Sequence, residues 1–86
     1  MGKVAVTFRI LPEGSEVDVA EMESSVRRSL GGVVRDLAVR PVAFGLQALE
    51  ATLVLEDEAG QAEQAEEALR RIAGVGEVET LGVSLL

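Results

Sequence analysis

The residue types missing from this sequence decide more about its chemistry than those present. None of the 86 residues is His or Cys, which removes the commonest general base, the commonest transition-metal ligand, thiolate chemistry and any disulfide framework. Ser24 and Ser25 are adjacent hydroxyls, but a hydroxyl needs a neighbouring base to become a nucleophile. They fall midway along a helical pattern, where a polar face is the ordinary reading. Glu56-Asp57-Glu58 offers carboxylates suited to a hard cation, yet three consecutive residues ahead of a helix do not readily converge on one ion. That run reads as a solvated turn. The expectation is a chain with no catalytic residues and no metal site.

One segment stands apart: Pro41-Val42-Ala43-Phe44-Gly45-Leu46-Gln47-Ala48-Leu49. Phe44 is one of only two aromatic residues and precedes a hinge-like Gly45. Counting alternate residues from Leu37 and Val39 puts Phe44 on the opposite face of a regular strand, exposed beside a turn, where an aromatic anchors a partner well. A bulge or the glycine itself could instead rotate it inward, the alternative that physics alone slightly favours.

The elements that position this segment follow from periodicity. Residues 3–11 alternate, with Val4, Val6, Phe8 and Ile10 on one face and Thr7 and Arg9 on the other, as a half-buried strand does. After the break at Pro12-Glu13-Gly14-Ser15, Asp18 can cap a helix whose apolar positions Val19, Met22, Val26 and Leu30 recur three and four apart. Gly31-Gly32 is expected to end it through a positive φ. A second strand covers residues 34–44, with Leu37 and Val39 inward, and Pro41 makes it an edge strand. A third covers residues 48–55, with Leu49, Ala51, Leu53 and Leu55 inward. A second helix is expected over residues 61–73, early Glu63, Glu66 and Glu67 and late Arg70 and Arg71 matching its dipole. The last strand, residues 77–84, turns Val78 and Thr80 inward and Glu77 and Glu79 outward. The order βαββαβ is the α+β ferredoxin-like arrangement, a four-stranded antiparallel sheet with two helices on one face. Residues 1–86 are one domain.

Composition narrows the function. The chain is 48% hydrophobic and 2% aromatic, a globular composition with an aliphatic core, and carries a net charge of −7. Nucleic-acid binding needs clustered Lys and Arg, whereas the eight basic residues are scattered. An RNA-binding sheet needs exposed aromatics on its central strands, and Phe8 has core-facing parity. Acylphosphatases share the topology but need an Arg in the loop after the first strand, here the acidic Leu11-Pro12-Glu13-Gly14. No run resembles a cleavable signal or approaches the ~20 apolar residues of a membrane span, so the expected compartment is the cytoplasm.

The segment from Pro41 resembles the signature Pro-x-Ala/Gly-Phe/Tyr-Gly-Ile/Leu-x-x-Leu of the elongation factor 1-beta exchange domain, at Pro41, Ala43, Phe44, Gly45, Leu46 and Leu49. The opening Met1-Gly2-x-Val4-Ala5-Val6-Thr7, Leu11-Pro12-Glu13, Val17-Asp18 and the later Glu67-Ala68-Leu69, Ile72, Gly74-Val75 and Val78-Glu79 are similar to the archaeal form of that family. The resemblance implies a guanine-nucleotide exchange factor that promotes GDP-to-GTP exchange on elongation factor 1-alpha during translation elongation. It would act by docking, without covalent chemistry or a cofactor of its own, and bind the nucleotide-free GTPase more tightly than the GDP-bound form, as reciprocity requires. Partner-binding residues implied are Pro41, Phe44, Gly45, Leu46 and Gln47, with Leu85 where family members carry a basic residue. The chain departs from the family in having Gln47 and Ala48 where Lys is common, and in the uncharged end Gly82-Val83-Ser84-Leu85-Leu86. Two other functions fit the fold: a small-metabolite-binding regulatory domain, for which Gly14 after the first strand is the one hint, and a structural partner of elongation factor 1-alpha that does not drive exchange.

Overall fold

A computed structural model describes residues 2–86, apart from the side chain of Phe44. Its elements run β1 (Lys3–Pro12), α1 (Val19–Leu30), β2 (Val34–Pro41), a 3-10 turn (Ala43–Gly45), β3 (Gln47–Glu56), α2 (Gln61–Arg70) and β4 (Val75–Leu85). The strands form one antiparallel sheet in the order β2-β3-β1-β4, with β1 paired to β3 and β4. This is the expected βαββαβ fold, with β2 at an edge.

The core lies between the sheet and the helices. Val6, Phe8 and Ile10 of β1 and Leu49, Ala51 and Leu53 of β3 are fully buried, and Met22 and Val26 of α1 and Leu69 of α2 close over them. Burying a side chain of this size stabilises the domain by roughly 1.5–3 kcal/mol each. Both aromatic readings of the first strand hold: Phe8 is core, and the open face beside it is polar. There Thr7 Oγ1 meets Thr52 Oγ1 at 3.2 Å, and Arg9 Nε donates to Glu79 Oε1 at 2.8 Å. α1 begins where expected, the Asp18 carboxylate accepting from Ala20 N–H at 2.9 Å.

Four local expectations are corrected. Gly31 is right-handed at φ −50, so α1 does not end through a left-handed glycine there. The left-handed glycines are Gly45, Gly60 and Gly74, all in the other connections. β2 stops at Pro41, because a proline with no N–H cannot extend the ladder and the chain turns at once into the 3-10 segment. The alternation count that placed Phe44 therefore has no strand to run along. Val39 does stand opposite buried Leu49, but at the loop end of the edge strand it is 42% exposed, whereas Leu37 nearer the middle packs against the core. Finally, α2 ends at Arg70, and Ile72 reaches the core from the turn that follows.

Candidate docking site

The β2–β3 connection is a short, closed loop. Pro41 pairs with Gln47 at its base. Val42 N–H donates to Leu46 C=O at 2.9 Å, and Leu46 N–H donates to Ala43 C=O at 3.4 Å. Gly45, at φ +73, makes the reversal, a backbone conformation that a side chain would strain. Pro41, Gly45 and Gln47 are exposed and Leu46 is half-buried. The fold thus brings five of the six candidate residues together on one loop. The expected exposure of the Phe44 side chain lies outside the described residues.

The two departures after the signature glycine are not equivalent. Gln47 is exposed, whereas Ala48 is fully buried although it lies on the face without helices. Of the two positions, only Gln47 is open to solvent. The nearby charge is Arg40, whose Nε stands 3.8 Å from Glu50 Oε1, while Glu13 and Glu16 are exposed on the neighbouring turn.

Leu85 lies elsewhere. It stands opposite Val4 at the start of β1, whereas Leu49 stands opposite Ile10 and Gln47 is two residues further on. Six residues from Val4 to Ile10 and two from Leu49 to Gln47 make eight, about 26 Å at ~3.3 Å per residue. Along β4 the register slips after Thr7, so that Leu81 is the extra residue and Val83 and Leu85 face the helix side, opposite Val6 and Val4. Yet they are 60% and 79% exposed. α2 reaches β4 as far as Thr80, whose Oγ1 donates to Glu66 Oε1 at 3.4 Å. Leu81, Val83, Leu85 and Leu86 beyond it form an exposed apolar strand end. Among the described residues no group of acidic side chains is arranged to hold a metal ion, and no helix is long and apolar enough to cross a membrane.

Residues 5–86 match the EF-1 guanine nucleotide exchange domain. The chain belongs to that family. Its relatives include the elongation factor 1-beta of Thermoplasma volcanium, 36% identical with all of both chains covered. Another is that of Methanosarcina acetivorans, 39% identical over 94% of each. That of Methanoculleus marisnigri is 38% identical over the whole of both. A solved structure of an uncharacterised protein from Thermotoga maritima superposes with a TM-score of 0.55 at 11% identity, covering 93% of this chain and 99% of that one, which supports the fold alone. Membership makes this a guanine-nucleotide exchange domain of translation elongation, with elongation factor 1-alpha as its partner. Sequence reading located the loop by its aromatic and its glycine. It missed that the turn from Pro12 to Val17 borders the loop and is itself pinned by Gly74, because a close backbone approach leaves little trace in residue type.

Proposed function

We propose that this exchange domain docks on elongation factor 1-alpha through two separate contacts, the β2–β3 loop at one end of the sheet and the apolar end of β4 at the other. The observation that carries this reading is the separation of the candidate residues: Pro41, Phe44, Gly45, Leu46 and Gln47 share one loop, and Leu85 is about 26 Å away. Groups that far apart touch different parts of the partner and share no contact. The loop supplies shape and, with Phe44, an aromatic anchor. The strand end supplies apolar area, each fully desolvated Leu being worth roughly 1.5–3 kcal/mol.

Exchange on this account needs no bond made or broken by the chain itself. It binds the nucleotide-free GTPase more tightly than the GDP-bound form, and by reciprocity it weakens GDP binding by the same factor. No cofactor takes part, and nucleic acid and membrane are not partners. The work is done in the cytoplasm, where the GTPase is.

The test is a titration of elongation factor 1-alpha loaded with fluorescent GDP. The expected result is saturable acceleration of GDP release, weakened by Phe44→Ala with the unfolding midpoint nearly unchanged. Binding without acceleration would make the chain a structural partner only. A loss of several kcal/mol of stability in Phe44→Ala, as for a buried aromatic, would place Phe44 in the core and remove it from the contact.

A further inference from the structure

At the loop end of the molecule three connections are stacked, and the middle one is the turn between β1 and α1. The α2–β4 connection pins it from one side. Glu13 N–H donates to Gly74 C=O at 2.8 Å. A Cβ on Gly76 would stand 3.0 Å from both Glu13 Cα and Pro12 O, backbone atoms that cannot rotate aside. A Cβ on Gly74, at φ +89, would lie 2.9 Å from Val17 Cγ1. From the other side, the same turn and the β2–β3 loop line one groove, Pro12, Val17 and Val19 facing Gly45, Leu46 and Gln47. Val17 belongs to both sides. Its side chain is half-buried against the core cluster, and its N–H closes the turn on Gly14 C=O at 3.2 Å.

We propose that Val17 is a positioning residue for nucleotide exchange: seated between Gly74 and the groove beside Leu46, it sets where the β2–β3 loop stands relative to the sheet. This rests on the reading of that loop as a docking contact. The two hydrogen bonds across the loop, from Val42 N–H to Leu46 C=O and from Leu46 N–H to Ala43 C=O, both close it on itself. They fix its shape but not its direction. The pairing of Pro41 with Gln47 sets where its root lies, and the groove wall that carries Val17 limits how far its tip can lean. A loop left to sample directions must be ordered on binding, which subtracts from affinity. A displacement of about 1 Å in a positioning element is enough to cost large factors.

The experiment compares Val17→Ala, Val17→Ile and the control Gly32→Ala, where an added Cβ meets open space. Two quantities are read: hydrogen exchange of the Val42 and Leu46 amides in the free protein, and the concentration giving half-maximal stimulation of GDP release from elongation factor 1-alpha. Val17→Ala should speed exchange at both amides and raise the half-maximal concentration roughly 3–10-fold, with the maximal release rate kept. Val17→Ile should restore both, and Gly32→Ala should change neither. Gly76→Ala, which moves the Pro12–Glu13 backbone from the opposite side, should reproduce the Val17→Ala pattern and serves if that variant folds poorly. Unchanged protection of Val42 and Leu46 in a folded Val17→Ala protein overturns the proposal. Faster exchange with an unchanged half-maximal concentration overturns it through its premise, because the loop would then not be a docking contact.

Discussion

The two ends of the sheet present their residues in opposite ways. At the loop end the backbone is specified in detail: Gly45 and Gly74 are left-handed, and Gly76 packs so closely on Pro12 and Glu13 that an added Cβ would make their backbone shift. At the other end β4 runs on past the cover of α2 and leaves Leu81, Val83, Leu85 and Leu86 in solvent. One end offers a shape, the other an area. They should fail differently, the first when geometry is disturbed and the second when polarity is.

The two edge strands sharpen the same contrast. β2 carries Arg35, Asp36, Arg40 and Pro41, the charges and proline that keep an edge from pairing with other chains. β4 carries no charge from Leu81 onward. An uncharged, apolar edge is a liability in a free protein, and it makes sense where a partner covers it.

The largest effect should come from the row that joins the ends. Phe8→Ala is expected to cost about 3–5 kcal/mol, a large part of the stability of an 86-residue domain. Urea unfolding should show one transition at a lower midpoint, and two transitions would mean that the ends are held independently. Next, Gly45→Val places a β-branched residue at φ +73 and should cost about 1–2 kcal/mol. GDP-release stimulation should fall more than that stability loss accounts for. Equal losses in Leu46→Ala and Gly45→Val would shift the weight from geometry to side-chain contact.

Leu85→Lys tests the other end. Leu85 is 79% exposed, so the substitution should alter stability by less than ~0.5 kcal/mol. If β4 approaches the metal site of the GTPase, the added charge repels the ion and GDP release should quicken about threefold, on the order of 0.7 kcal/mol. A slower rate in a folded variant would show the contact to be purely apolar. The smallest effect belongs to the open face between the ends. Glu79→Gln breaks the ion pair with Arg9 (2.8 Å) and should cost about 0.5 kcal/mol or less, vanishing at high salt, with exchange untouched. Gel-shift titration with tRNA should find no micromolar complex on that face, and a steeply salt-dependent one would overturn the charge argument.

Much of this was legible in the residues. β1 and β3 were read correctly because period-two alternation survives wherever one face is buried, as in Val4, Val6, Phe8 and Ile10. Asp18 announced its helix through a local bond. The errors fell where the cause is not local. Val39 has the parity of a core residue, but its exposure depends on its place at the loop end of an edge strand, which is a matter of tertiary arrangement. Gly31 has the type of a left-handed cap, yet the chain leaves α1 without needing one. The loop was legible because its signature is compact, whereas its separation from Leu85 is a matter of strand register, which no spacing along the chain reveals.

The central claim, two contacts at opposite ends of one sheet, is tested most directly by a double-mutant cycle in stopped-flow GDP release from elongation factor 1-alpha. Phe44→Ala, Leu85→Ala and the double variant are compared with the parent protein at one Mg²⁺ concentration. Contacts about 26 Å apart should act independently. Each single variant should then slow stimulated release, and the double variant should show the product of the two factors within roughly twofold. A double variant no slower than the worse single variant would contradict the account, since the two residues would then belong to one contact or one of them to none.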